Sequence, residues 1–226
     1  FLFVPETIGS ISYISKNLKV MKKNILAGFV MTCLGDNLTY SLLPSRDSNT
    51  YADKLANYVL FNLDIQYTKY NFLDDRGSDE RQYCSPGVDL PFVSIMRSKY
   101  AKYKEYHTSL DNLKFVSKLG FVNSINVYKE LIEIIETNTL YQANQLCEPM
   151  FIKYNLRSDN LNNVNFKIKN LNKLDLNLSN FLAYADGKND LIDLSLRLKI
   201  KYSEILKIAK ILTNHNLIKE VNSHEM

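Results

Sequence analysis

Phe1, Leu2, Phe3 and Val4 are apolar without alternation, the pattern of a strand covered on both faces, and Pro5 ends its hydrogen bonding so that Glu6 stands at the strand's carboxyl end. Ile11, Ile14, Leu18 and Met21 then recur every three or four residues, which predicts a helix over residues 10–24 with Ser10 as its N-cap. Residues 25–34 return to a strand-like run closed by Gly35, Asp36 and Asn37. Residues 49–63 are helical again, with Ala52, Leu55, Ala56, Val59 and Leu60 along one stripe. Residues 65–72 and 90–96 read as further strands. A helix over residues 121–138 turns Ile125, Val127, Leu131, Ile134 and Ile135 toward the sheet. Strands alternating with helices predict an α/β layer structure, with ligands in the crevice beyond the carboxyl ends of the strands.

After Pro149 the pattern changes. Asn160, Asn162, Asn163, Asn165, Asn170 and Asn172 crowd a short span, so residues 151–177 are expected to be a linker or irregular segment between a first domain, 1–150, and a second, 178–226. The second domain predicts helices over 179–185, 191–198 and 203–214 and a strand over 217–221, the element order of a winged helix-turn-helix. Ser203 is expected to cap the third helix, with Ile205, Leu206, Ile208, Ala209 and Leu212 facing inward.

With 226 residues and 46% hydrophobic content the chain can bury one sizeable core and a smaller one. No apolar run reaches the roughly 18 to 20 residues of a membrane span, since Lys16, Lys19, Lys22 and Lys23 break the early apolar stretch. The net charge of +4 comes from 28 basic and 24 acidic residues spread evenly. Seven basic stand against six acidic residues from position 178 onward, too even a balance for a DNA-reading module; DNA is not the expected partner. Cys33, Cys84 and Cys147 are odd in number and widely spaced, which predicts neither a disulfide framework nor a thiolate metal site and points to the reducing cytoplasm. A domain rarely opens on a core strand without a polar leader, so residues belonging upstream are expected to be absent from this polypeptide.

Candidate chemistry concentrates between Asp75 and Asp111. A charged loop of Ser78, Asp79, Glu80 and Arg81 precedes the buried strand at 90–96, and a second polar loop after it holds Tyr106, His107, Thr108 and Asp111. His107 fits a metal ligand with Asp111 holding its other nitrogen, or a satisfied histidine with no such role. Glu6 fits a general base at the lip of a cleft, or a solvated turn residue. Ser78 to Arg81 fit a substrate-facing loop, or simply the capped first turn of a helix. Cys84 reads as buried rather than nucleophilic.

In order along the chain, Phe3 to Ser10, Arg76 to Gly87 with Leu90 and Pro91, and Tyr106 to Asp111 resemble three motifs of aminopeptidase-like proteins of the DUF4910 type, a family of unknown function. That family is related in fold to the dinuclear-zinc exopeptidases such as bacterial leucyl aminopeptidase and glutamate carboxypeptidase. Cys147, Glu148 and Pro149 and the terminal winged helix fit it too. The resemblance implies a zinc-exopeptidase-like mixed sheet with flanking helices and a zinc-dependent hydrolase acting on a peptide or aminoacyl amide bond, with one or two zinc ions. It implies His107 as a zinc ligand, Glu6 as general base or metal-binding carboxylate, and Asp79, Glu80, Arg81 and Tyr106 around the substrate. The broader exopeptidases carry two consecutive glutamates where this chain has Glu6 and Thr7, and a ligand aspartate on the next strand where Thr32 aligns, leaving Asp36 nearby as its substitute. They also take a histidine and a bridging aspartate from an earlier segment. The alternative is a non-catalytic binding protein on the same fold, with a protein partner docked through the winged helix or a second copy of the chain.

Overall fold

The computed structural model describes residues 1–156 and 173–221. Most of the segment expected as linker therefore lies outside the described residues, as do positions 222–226. The chain divides into two units, Phe1–Ile135 and Glu136–Met226.

The first unit runs α1 (Ile8–Asn24), β1 (Gly28–Val30), β2 (Ser41–Leu43), α2 (Tyr51–Asn62), β3 (Thr68–Lys69), α3 (Phe72–Asp75), α4 (Glu80–Tyr83), β4 (Phe92–Met96) and α5 (Lys118–Thr137), whose last residues pass into the second unit. The strands form one mixed sheet in the order β1-β4-β2-β3. β1 runs parallel to β4 with Phe29 opposite Val93, β2 is antiparallel to β4 with Leu42 opposite Ile95, and β3 is parallel to β2. β2 is buried along its whole length and β4 from Val93 to Met96, as in strands covered on both faces. The α2 stripe is the predicted one, with Ala52, Leu55, Ala56, Val59 and Leu60 fully buried. Thr50 caps α2: its hydroxyl accepts from the Asp53 amide, and the Asp53 carboxylate accepts from the Thr50 amide at 3.0 Å, the reciprocal pairing of a capping box. Ile14 and Met21 of α1 pack with Tyr83 and Leu90, and the Tyr83 ring stacks on Phe92 at 4.0 Å.

Several predicted elements change. Residues 1–4 form no strand; Phe1 and Phe3 are 99% and 92% exposed, so no layer covers them. Ser10 is buried inside α1, which begins two residues earlier behind Thr7. β1 is three residues long because the chain leaves it through a turn with Cys33 in the left-handed region, at φ 49°. β3 is two residues long, since Asn71 starts α3 by accepting from the Leu73 amide at 2.8 Å. The short β2 went unpredicted.

The second unit comprises β5 (Leu140–Ala143), a 3-10 turn at Phe151–Tyr154, α6 (Lys173–Ala183), β6 (Asp186–Asp190), α7 (Leu191–Leu198), α8 (Tyr202–Asn214) and β7 (Ile218–Val221). β5 pairs antiparallel with both β6 and β7, which is why the division falls near residue 135 and not at the expected 150. Asp190 and Asp193 form a capping box on α7, and Lys199 in the left-handed region ends it. Lys201, in place of the expected Ser203, precedes the first residue of α8. Leu191, Ile192, Leu194, Ile205 and Leu212 bury the inner faces of this helix-turn-helix, and the Tyr141 ring meets Phe181 edge-on. No helix among the described residues is long and apolar enough to cross a membrane.

Burial pushes the phenols of Tyr83, Tyr100, Tyr103, Tyr106 and Tyr128 upward. An unfolded tyrosine ionises near pH 10, about where a folded one with a raised pKa still holds its proton. The stabilisation is complete below that value and is lost as pH rises through the raised ones. Buried Lys99 is pushed downward and slopes oppositely, but it is one group against these five phenols and that of Tyr141, which is also raised. Thermal melts should show Tm declining progressively above about pH 10, with the decline shallower in Tyr128→Phe. A Tm that rose in that range would contradict the assignment.

Candidate functional site

β1 and β4 run in the same direction, so the loops after Val30 and after Met96 leave the sheet at one end. Asp36 ties these two loops together. Its carboxylate accepts from the Ser98 amide at 3.0 Å, the Ser98 hydroxyl at 2.8 Å and the Leu38 amide at 3.0 Å, and the residue is 2% exposed. Arg97 lies over the Tyr40 ring at 3.8 Å and donates through Nε to the Asp36 carbonyl at 3.0 Å. The metal-ligand role expected of Asp36 thus meets a buried carboxylate already engaged by three protein donors. Three donors on a carboxylate removed from water make Asp36 a structural tie between the two loops.

Glu6 lies on the surface, with one carboxylate oxygen accepting from the Ser78 hydroxyl at 2.5 Å. The residues expected around the substrate surround this turn. The Asp79 carboxylate accepts from the Thr7 amide at 2.6 Å, and Arg81 donates to the Thr7 hydroxyl at 3.4 Å. Thr7 has φ 63° and ψ −68°, a tight-turn conformation costly for a β-branched residue and maintained here by its surroundings. Glu80 is fully buried. Its Oε1 accepts from the Gly77 amide at 2.8 Å, the Ser78 amide at 2.9 Å and the Tyr100 hydroxyl at 2.7 Å, and Ser94 donates to Oε2 at 3.4 Å. Asp79, Glu80 and Arg81 therefore support the loop and the start of α1.

Tyr106 is half-buried, and its phenol is pushed up first by burial and then by the negative charge of Glu6, so the two belong to one neighbourhood. His107, exposed and at φ 57°, stacks its ring on Tyr106 at 3.9 Å and 17°. Tyr106 also meets Tyr103 edge-on at 5.6 Å, and Tyr103 stacks on Phe115. Cys33 places its sulfur 3.7 Å from the Tyr103 hydroxyl, and burial pushes its thiol upward. Lys99 is 3% exposed, with its amine 4.0 Å over the Tyr100 ring and 3.9 Å from Asp75. Thus the charge of Glu6 acts on Tyr106, on whose ring His107 stacks, while Asp36 is engaged among the loop ties.

Tyr103 and Lys99 were not singled out from the sequence, and Cys33 was read there only as an unpaired thiol. Lys99 lies three residues beyond the predicted strand at 90–96, and that position was its available signal. Among the described residues no three or more histidine, cysteine, aspartate or glutamate side chains come together to hold a metal ion. With Asp36 engaged as well, the residues present do not fit the expected zinc centre by themselves.

Residues 1–138 match the family described as a domain of unknown function, DUF4910, and residues 139–220 match a winged helix-turn-helix. A Clostridium acetobutylicum protein, provisionally named for polysaccharide biosynthesis with an aminopeptidase-like domain, is 36% identical over 222 residues, which is 98% of this chain and 49% of the relative. The crystal structure of a provisionally assigned peptidase from Clostridium acetobutylicum superimposes with a TM-score of 0.83 at 35% identity, covering 98% of this chain and 48% of that one. The chain spans about half the length of the relatives it matches.

Proposed function

We propose, from the premise that this chain belongs to the DUF4910 family and carries a winged helix-turn-helix, that it forms part of an aminopeptidase-like hydrolase acting on a peptide or aminoacyl amide bond. The carrying observation is that the charge of Glu6 acts on Tyr106, a hundred positions further along the chain, on whose ring His107 stacks. The names of the two relatives support the substrate class. A zinc-exopeptidase-like sheet is the fold we assign to the first unit, with the mixed order β1-β4-β2-β3 as its support.

In this reading Glu6 is the general base. Its carboxylate takes a proton from water as the water oxygen attacks the carbonyl carbon, then delivers it to the amine as the C–N bond breaks. Tyr106, its phenol kept protonated by burial, donates to the carbonyl oxygen as charge develops there, and His107 lines the same substrate edge. No step runs through zinc, because a tetrahedral centre needs three or more protein donors and among the described residues no such group of histidine, cysteine, aspartate or glutamate side chains comes together.

Full-length polypeptide is expected to hydrolyse aminoacyl amides, with Glu6→Gln reducing kcat by about 100-fold, the lower end for loss of a general base. Undiminished turnover in that variant removes Glu6 from the reaction. A second reading, a non-catalytic binding protein on the same fold, draws on the structural engagement of Asp36. Affinity for peptides in a full-length protein that never cleaves them would favour it.

A further inference from the structure

We infer that Glu80 is a positioning residue for Glu6, acting through Ser78: the buried carboxylate folds residues 77–79 into the geometry in which the Ser78 hydroxyl meets Glu6. The inference rests on the hydrolase reading above.

Glu80 begins a helix of only four residues and yet is fully buried. A carboxylate removed from water is unfavourable unless its lone pairs are engaged, so its burial calls for a reason beyond a short surface turn. The donors give one. Two are consecutive main-chain amides, Gly77 and Ser78, both directed at Oε1, which fixes the backbone immediately before the Ser78 side chain. The others, Tyr100 and Ser94, come from the loop after β4 and from β4 itself, so the same carboxylate anchors this loop to the sheet. Ser78 is itself buried, and its hydroxyl donates to Glu6. The next residue, Asp79, accepts from the Thr7 amide and holds that residue in its positive-φ turn. Two side chains in sequence therefore grip the turn bearing Glu6 from one loop, and one buried carboxylate shapes that loop. The grip leaves the second Glu6 oxygen without a bond to Ser78.

A hydroxyl bond to one carboxylate oxygen orients the other and narrows the range of Glu6 positions. Misplacement of a catalytic group by about 1 Å can cost 100-fold in rate. The expected signature is a loss in kcat rather than in KM, because substrate binding does not run through Ser78 or Glu80.

The test uses full-length polypeptide and an aminoacyl amide, comparing Ser78→Ala, Glu80→Gln, the double variant and Glu6→Gln. Ser78→Ala leaves every Glu80 bond to the main chain in place and is expected to lower kcat by about 10-fold to 100-fold, with KM within about two-fold and an unchanged melting temperature. Because Glu80 acts through Ser78, the double variant should be no slower than the slower single one. Full activity in Ser78→Ala beside an inactive Glu6→Gln overturns the positioning role and leaves the hydrolase reading standing. Multiplying losses in the double variant show two independent effects and also overturn it. An active Glu6→Gln, or a wild-type polypeptide with no turnover, removes both readings together. Should Glu80→Gln not fold, the Ser78→Ala result decides alone.

Discussion

Replacing Asp36 with alanine is expected to lower the stability of the first unit by about 3 to 5 kcal/mol, read as a fall in Tm of roughly 10 °C. The substitution leaves three donors without their acceptor in a site 2% exposed: the Leu38 amide, the Ser98 amide and the Ser98 hydroxyl. An unsatisfied buried donor costs about 1 to 3 kcal/mol, and water has little access to replace the carboxylate. Two loops would loosen together, since Asp36 belongs to the one after β1 and Ser98 to the one after β4. Asp36→Asn retains one acceptor oxygen but turns an NH2 toward a donor, so its loss should be smaller than that of alanine but still clear. The result also tests whether Asp36 serves a metal. A ligand would show its substitution mainly as lost metal content with Tm held at metal saturation; a tie shows lost stability whatever the metal present. An unchanged melting curve for Asp36→Ala would refute the structural role.

Gly120→Ala, in the first turn of α5, should be destabilising by about 3 kcal/mol, although helix propensity alone favours alanine over glycine by about 1 kcal/mol. A Cβ on Gly120 would lie 2.3 Å from the Gly35 carbonyl oxygen and 2.4 Å from that of Asp36, and main-chain atoms cannot swing aside as a side chain can. The helix is seated there by two further bonds, from the Ser117 amide to Gly35 at 2.8 Å and from the Gly120 amide to the Ser117 hydroxyl at 2.9 Å. Displacing α5 from this turn would also disturb Tyr128, whose hydroxyl donates to the Ile95 carbonyl of β4. The sign of the change in chemical denaturation is therefore the diagnostic quantity. A stabilised Gly120→Ala would mean that propensity outweighs the close approach and that α5 does not rest on the Gly35–Asp36 turn.

The two variants meet at one place in the fold, and that place illustrates how far the sequence could be read. The helical periods of α1, α2, α5, α7 and α8 were visible because each buries a stripe at three- and four-residue spacing, a local property. β4 was visible as a short apolar run, interrupted only by Ser94, for the same reason. β2, only Ser41 to Leu43, was too short to carry a period, and its place in the middle of the sheet comes from the neighbours it pairs with. The apolar run at residues 1–4 had the composition of a covered strand, but a strand requires a partner and a covering layer, and neither is supplied by its own residues.

The order of the motifs holding Glu6, the Ser78–Arg81 loop and the Tyr106–His107 pair, together with the winged-helix pattern that follows them, was legible in the chain itself and pointed to the family. The charged loop was not legible in its roles. Asp79, Glu80 and Arg81 read alike as residues of a substrate-facing loop or of a capped first turn; which one is buried was decided by donors 14 and 20 positions away on Ser94 and Tyr100. Asp36 likewise took its role from Ser98, 62 positions further along. Periodicity and motif order are properties of neighbouring residues and survive without a fold. The fate of a buried carboxylate depends on which distant donors arrive beside it, and only the tertiary structure brings them there.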